Sequence, residues 1–186
     1  LSAMESKALL RSFGIPVTHT TVARDATEAL FVAEQTGFPV AMKVDAPELA
    51  SKSESGGVRL NLNTTEAVWS AYHDIIDTVR LRHPEAQING VSIEPYLYRP
   101  QARAFSIQVH RDAIFGPVIS LGVQDASAAR TFALPPLNTV LARDLIDSAM
   151  PAAAQGPRSQ AGMLNRAALE QVLVSVSDLV CELPWV

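Results

Sequence analysis

KVDAPELASKSESGGVRL, residues 43–60, contains a lysine in an apolar strand, a second lysine and a loop of small polar residues. The apolar run that begins at Pro39 and includes Lys43 predicts a strand. A polyphosphate needs point-charge cations and backbone N–H groups that no bulky side chain blocks. The segment therefore predicts a phosphate clamp, and the alternative is a hairpin with a flexible Gly-Gly turn and two solvated lysines. The predicted clamp residues are Lys43, Lys52, Ser53, Ser55, Gly56 and Gly57.

Length and charge limit what the chain can do. Its 186 residues suffice for one large domain or two smaller subdomains, with a core in either case. A net charge of -4 provides no basic stripe to neutralise phosphodiesters, so we do not expect nucleic acid as a partner. No apolar run is long enough to span a bilayer, and the start of the chain is typical of a capped helix, not of a signal peptide. We therefore expect no membrane partner and a cytoplasmic protein.

The single cysteine and the two chain ends add further expectations. Cys181 lies in a helical pattern and has no second cysteine to pair with, which fits a reducing compartment and a helix residue more than a nucleophile. The chain begins at Leu1 without an initiator methionine, and it ends at Val186 directly after a predicted helix. We therefore expect this sequence to be one piece of a longer polypeptide.

Capping and turn signals divide the first half of the chain into helices and strands. An S-x-x-E capping box at Ser2 starts a helix that Gly14 stops. Asp25 caps a second helix, and either Thr64 or Thr65 caps a third. Predicted strands occupy residues 17–23, 39–44, 58–63 and 91–97.

The second half combines strands with two further helices. β-Branched and aromatic residues predict strands at 102–110 and 118–121, and helical spacing predicts helices at 141–150 and 166–183. Residues 151–162 form a low-complexity segment of alanine, glycine, proline and serine. This order of elements predicts an α+β fold with largely antiparallel sheets, arranged as two lobes.

Several segments resemble the ATP-grasp domain of ADP-forming acyl-CoA synthetases, relatives of the succinyl-CoA synthetase β subunit. They are ESKALLRSFGIPV, GFPVAMKV, KSESGGVRLNL, INGVSIEPYL and RDAIFGPVISLG. A further segment, ALPPLNTVLARDLI (Ala133–Ile146), resembles the same domain in bacterial protein lysine acetyltransferases that carry a C-terminal GNAT-type domain. The resemblance implies an α+β ATP-grasp domain over residues 1–186, in which about 15–90 form the smaller N-terminal lobe. It also implies that the family's final strand follows Val186.

The resemblance implies a nucleotide site with two parts. In the family the nucleotide lies between two lobes, with a strand lysine and a Gly-rich loop near the phosphates and a hinge strand near the adenine. Carried over, this places Lys43 and the Ser53–Gly57 loop at phosphate, and Glu94, Tyr96 and Leu97 at the base. Desolvation of Lys43 in an apolar strand also calls for an anionic partner. The alternatives are an edge-strand lysine that reaches solvent and a surface carboxylate beside a proline.

Some positions depart from the family pattern. Ala104 stands where the family commonly has a glutamate, and Gln124, Asp125 and Ala128-Ala129 replace a glycine pair and a following glutamate. Loss of carboxylates removes Mg²⁺ ligands, so we assign no catalytic residue and no metal ligand. Asp112 and Asp125 are the nearest carboxylates, and a turn is the commoner role for each.

Two functions follow from the resemblance. The first is a nucleotide-binding domain of an acyl-CoA synthetase-like protein lysine acetyltransferase, degenerate for ligase chemistry and acting as a ligand-binding or regulatory module. The alternative is an active ATP-grasp domain of an ADP-forming acetyl- or acyl-CoA synthetase that phosphorylates a carrier histidine. That histidine lies in another domain of the family, so His110 is predicted to be a strand residue.

Ligands and partners are implied in the same way. ATP with Mg²⁺ is the expected cofactor of this domain, and acyl-CoA is an expected ligand of the full-length protein. The expected partners are the nucleotide and the CoA-binding and GNAT-type domains of the same polypeptide. A purely structural interaction module would fit if the Ser53–Gly57 loop bound no anion.

Overall fold

A computed structural model describes residues 3–49, 51–99, 102, 104–123, 130–150 and 164–183. The chain divides into two compact units. The first consists mainly of Thr18–Tyr98, and the second combines Glu5–Val17 with the described residues of Arg99–Val186. Helices and antiparallel strands are mixed in this part of the chain, so the predicted α+β class is confirmed.

The described residues contain five helices and seven strands. The helices are α1 (Ala3–Ser12), α2 (Ala26–Thr36), α3 (Thr65–Arg82), α4 (Thr139–Ala149) and α5 (Arg166–Glu182). The strands are β1 (Thr21–Ala23), β2 (Val40–Asp45), β3 (Val58–Leu62), β4 (Gly90–Pro95), β5 (Phe105–Asp112), β6 (Gly116–Val123) and β7 (Thr131–Ala133). None of these helices combines the length and the apolar character needed to cross a membrane.

The first unit is a four-stranded sheet with helices α2 and α3 on one face. The strand order is β1-β4-β2-β3, and every neighbouring pair is antiparallel. Side chains alternate along a strand, and Val40, Met42 and Val44 of β2 join the buried cluster formed with the two helices. Full burial of such a side chain contributes about 1.5–3 kcal/mol to stability. The same alternation directs Lys43 to the opposite face of the sheet.

The helix starts follow the predicted capping chemistry. The Asp25 carboxylate accepts the N–H of Glu28 at 2.8 Å, which confirms this residue as the cap of α2. Of the two candidate threonines, Thr64 caps α3, because its hydroxyl accepts the N–H of Ala67 at 3.1 Å. The predicted cap of the first helix, Ser2, lies outside the described residues.

The second unit has a three-stranded antiparallel sheet in the order β5-β6-β7. Ile119 and Leu121 of β6 are buried in one cluster with Ile146 of α4 and Leu173 of α5. At the β5–β6 turn, the Asp112 carboxylate accepts the N–H groups of Phe115 at 2.9 Å and Ile114 at 2.8 Å. These two bonds hold the pKa of Asp112 below its usual range, so Asp112 has the turn role expected of it.

Several boundaries differ from the sequence prediction. β1 starts at Thr21 instead of Val17, because only three of its residues pair with β4. β7 was not predicted, since three residues are too short to show a periodicity. β4 ends at Pro95, so the last part of the predicted strand lies beyond the sheet. The predicted low-complexity segment 151–162 lies outside the described residues.

Candidate functional site

Lys43 lies on the sheet face of the first unit that is opposite to α2 and α3. In the register of β2 and β4, Lys43 is paired with Ser92, and Ala41 is paired with Glu94. Lys43 and Glu94 are therefore diagonal neighbours on the same face of the sheet. The side chain of Lys43 is 37% exposed, and its Nζ donates to the Glu94 carboxylate. The strand thus holds a cation that contacts an anionic partner on one side and solvent on the other.

Glu94 is the centre of a small polar cluster. Its side chain is only 13% exposed. Oε1 accepts from Lys43, and Oε2 accepts from the hydroxyls of Thr18 and Thr20, each at 3.2 Å. The anionic partner that the sequence requires for Lys43 is therefore supplied within the unit. The two threonines were not predicted as site residues, although their alternation ahead of β1 indicates that both side chains lie on one face of an extended segment.

The Ser-Gly loop between β2 and β3 is held together by its own hydrogen bonds. The N–H groups of Ser55, Gly56 and Gly57 donate to the carbonyls of Ser51 at 3.2 Å, Ser53 at 3.0 Å and Lys52 at 2.8 Å. The Ser55 hydroxyl is buried and donates to the Ser51 carbonyl at 2.8 Å. Lys52 is half-buried and Ser53 is exposed. Of the predicted clamp residues, Lys52 and Ser53 therefore keep side-chain donors at the surface, next to the exposed Glu54, because the other donors are used internally.

Close packing explains why both Gly56 and Gly57 of the loop are glycines. A Cβ at Gly57 would lie 2.4 Å from Cγ1 of Val44, and the Gly57 carbonyl accepts the Val44 N–H at 2.7 Å. Gly56 has a φ of 75°, and a Cβ there would lie 2.7 Å from Cγ2 of Thr78. Close approach of neighbouring side chains therefore requires glycine at both positions, whether or not a ligand binds.

Gly57→Ala is expected to destabilise the first unit by about 1–3 kcal/mol, because the new methyl group would overlap Val44. Thermal unfolding followed by circular dichroism measures this loss. In the Val44→Ala background the same change should be much less damaging, since the clashing methyl group is gone. Equal losses in both backgrounds would contradict a steric role for Gly57.

The residues predicted to contact the base follow β4. The Tyr96 N–H donates to the Pro39 carbonyl at 2.9 Å, and the rings of Tyr96 and Tyr98 stack with centroids 6.1 Å apart. Leu97 is 64% exposed. Pro95 pairs with Val40 at the start of β2, whereas the loop follows the other end of that strand. Lys43 thus lies between the two parts of the predicted site, roughly 10 Å along the strand from Val40.

Comparison with known proteins assigns this arrangement to a family. The ATP-grasp domain family matches the chain over residues 1–186. The chain is an ATP-grasp domain. It is 33% identical to the Pyrococcus furiosus acetate–CoA ligase [ADP-forming] I subunit beta, over 97% of this chain and 78% of that subunit. The chain therefore belongs to the ADP-forming acetyl-CoA synthetase family, as predicted, whereas the predicted link to protein lysine acetyltransferases with a GNAT-type domain is not shown by these relatives.

Solved structures agree with this assignment of the ATP-grasp domain. The acetyl-coenzyme A synthetase 1 of Ca. Korarchaeum cryptofilum, in complex with coenzyme A and Ca-AMPCP, superposes with a TM-score of 0.87 at 29% identity. That match covers 98% of this chain and 80% of the synthetase chain. A second structure of the same synthetase holds coenzyme A and Mg-AMPPCP, with its phosphohistidine segment pointing towards the nucleotide binding site. Its TM-score is 0.76 at 26% identity, over 98% of this chain and 78% of that one.

The remaining candidates of the ATP-grasp domain have structural roles or lie outside the described residues. His110 is in β5, as predicted, and its ring lies perpendicular to that of Phe132, with the two ring centroids 6.2 Å apart. Cys181 is an exposed residue of α5, and Ala104 is exposed ahead of β5. The departures at Gln124, Asp125, Ala128 and Ala129 fall outside the described residues. Within the described ranges, no three His, Cys, Asp or Glu side chains are grouped so that they could hold a metal ion.

Proposed function

We propose that this chain is the nucleotide-binding domain of an ADP-forming acyl-CoA synthetase and that it binds MgATP. The observation that carries the proposal is the Lys43–Glu94 pair on the sheet face opposite α2 and α3. An ammonium group has three N–H donors, and Glu94 engages one of them. The other donors of this partly exposed lysine are available for phosphate oxygens.

In the proposed site, Glu94 and a bound phosphate compete for the ammonium group of Lys43. The Glu94 carboxylate pairs with Lys43, and the hydroxyls of Thr18 and Thr20 donate to the same carboxylate. A bound polyphosphate brings more negative charge to the same ammonium group and competes with Glu94 for it. Tyr96 and Leu97 would then contact the base, and Lys52 and Ser53 would contact phosphate from the loop.

The metal in this proposal enters with the nucleotide. Mg²⁺ takes oxygen ligands and is usually held by one or two carboxylates together with substrate phosphates and water. In this proposal the phosphate oxygens of ATP would supply ligands to Mg²⁺, which enters as part of the substrate MgATP.

The proposed chemistry is phosphoryl transfer to a histidine on another domain. A ring nitrogen of that histidine attacks the γ-phosphorus of ATP, the bond to the β–γ bridging oxygen breaks, and ADP leaves. The phosphohistidine would then support acyl-CoA formation together with a CoA-binding domain. The names and ligands of the relatives support this sequence of steps.

A second candidate is a non-catalytic module of a protein lysine acetyltransferase with a GNAT-type domain. The observation that favours it is the segment Ala133–Ile146, which resembles that class of protein. In the fold, this segment runs from the last residue of β7 into α4, and its residues Leu137 and Ala142 are buried. The relatives found by comparison are synthetases, so this candidate is second.

Calorimetric titration of this chain with ATP and with ADP, with and without Mg²⁺, tests the proposal. We expect Mg²⁺-dependent ATP binding, and at 100 times Kd a stabilisation of about 2.7 kcal/mol in thermal unfolding. Absence of both heat and thermal shift with either nucleotide would refute nucleotide binding.

Incubation of the full-length protein with γ-labelled ATP then separates the two candidate functions. A labelled histidine indicates the synthetase, whereas binding without transfer of label indicates the acetyltransferase module.

A further inference from the structure

The sheet of the second unit has a polar face opposite the face that packs on α4. Ile119 and Leu121 of β6 are in the core, so the alternation places Ser120 and Gly122 on the polar face. Their partners in register are Gln108 and Ser106 of β5. Phe132 of β7 pairs with Ser120, which continues this face across all three strands. Arg130 directly precedes β7, in line with Gly122 and Ser106.

Arg130 lies across this face and contacts two serines. One terminal guanidinium nitrogen donates to the hydroxyl of Ser120, and the other donates to the hydroxyl of Ser106, each at 3.4 Å. A Cβ at Gly122 would lie 3.1 Å from Cγ of Arg130, so the absence of a side chain there lets the arginine stem lie on the sheet. The position of the guanidinium is thus set by β5, β6 and one glycine.

The two serines do not neutralise the charge of Arg130. They are uncharged, and 3.4 Å is long for an N–H···O bond, whose usual range is about 2.7–3.2 Å. Within the described part of the chain, Arg130 forms no ion pair with a carboxylate, whereas Arg143 binds Glu170 through two nitrogens. Arg130 is half-buried, and a charge removed from water requires a counter-ion. The face is therefore suited to an anion.

We infer that Arg130, Ser106 and Ser120 form an oxyanion site that takes a phosphate group. A guanidinium fork matches two oxygens of a phosphate or a carboxylate. The two serine hydroxyls come from different strands. The hydroxyl of Ser120, a residue that is only 2% exposed, also donates to the Gln108 carbonyl at 3.5 Å, a long bond that it can exchange for an oxygen of the anion, and the Ser106 hydroxyl can turn to the anion in the same way. Donors from several directions suit a tetrahedral phosphate better than a planar carboxylate. The site lies within the second unit and does not depend on the role proposed for Lys43.

The test is a titration of this chain with inorganic pyrophosphate and with orthophosphate, followed by calorimetry and by backbone amide NMR. We expect pyrophosphate binding that shifts the signals of Ser106 and Ser120. Arg130→Gln should weaken it about tenfold or more, and Arg130→Lys should weaken it partially, because the charge stays but the fork is lost. Arg143→Gln is the matched control and should bind as the unmodified chain does.

Three outcomes would overturn the inference. These are unchanged pyrophosphate affinity in a folded Arg130→Gln variant, no shift at the two serines, or loss of those shifts in Lys43→Ala. If ATP binding fails but the serine shifts persist, the proposed function is wrong and the phosphate site stands. Tighter binding of pyrophosphate than of orthophosphate assigns the site to a polyphosphate such as that of a nucleotide. Equal affinity assigns it to a phosphate monoester.

Discussion

Lys43→Ala is expected to weaken MgATP binding by about 10- to 100-fold. A hydrogen bond to a charged group contributes about 1.5–3 kcal/mol, and each 1.4 kcal/mol changes affinity tenfold. The variant also removes the ammonium group of Lys43 from Glu94, which is 13% exposed, while the two threonine donors remain. The negative charge of Glu94 is then less compensated and would repel a nearby phosphate further. Isothermal titration calorimetry on the folded variant measures the change.

Glu94→Gln is the matched control for Lys43→Ala. It removes the competing charge while keeping a side chain of the same size, so we expect ATP affinity equal to or higher than that of the unmodified chain. The double variant should be more stable than Lys43→Ala alone, because the amide needs no counter-ion. If Lys43→Ala binds MgATP as tightly as the unmodified chain, Lys43 is not a phosphate ligand and the Lys43–Glu94 pair is purely structural.

Gly90→Ala is expected to lower the stability of the first unit by about 3 kcal/mol or more. Gly90 starts β4 with a φ of 134°, a conformation that residues with a side chain rarely adopt. A Cβ there would lie 2.2 Å from the carbonyl oxygen of Ala23, the residue with which β4 begins its pairing to β1. Backbone strain and overpacking each contribute about 1–3 kcal/mol. Urea unfolding at constant m-value measures the loss.

Gly37→Ala is the control that separates backbone strain from overpacking in the effect of Gly90→Ala. Gly37 also has a positive φ, 83°, but a Cβ there would meet nothing within 4 Å. Its replacement should therefore cost only the strain, about 1 kcal/mol. A Gly90→Ala chain that unfolds at the same urea concentration as Gly37→Ala would show that the approach to Ala23 relaxes without loss.

Local signals in the sequence were sufficient to predict where α2 and α3 begin. Asp25 and Thr64 each bind an N–H three residues ahead, so their role depends only on nearby sequence. Strand pairing has no such local signal. The partner of Lys43 was predicted to be an anion, but Glu94 lies 51 residues away and reaches Lys43 only through the register of β2 and β4.

Gly56 and Gly57 also show that contacts between distant segments could not be predicted from the sequence. Gly56 and Gly57 were predicted from their freedom to approach a ligand, whereas the atoms closest to them belong to Thr78 of α3 and Val44 of β2. Close packing between distant segments is invisible in a single sequence. The packing does not require a ligand at these residues, and their N–H groups already donate to carbonyls within the loop, so their ligand role stays a prediction.

The internal hydrogen bonds of the Ser51–Gly57 loop have a consequence for the kinetics of binding. A glycine-rich loop without such bonds would lose conformational entropy when it closed on a ligand. Here the turns are already formed by bonds from Ser55, Gly56 and Gly57 to the preceding carbonyls. A ligand that contacts this loop meets turns that are already formed, so its association does not have to include their formation.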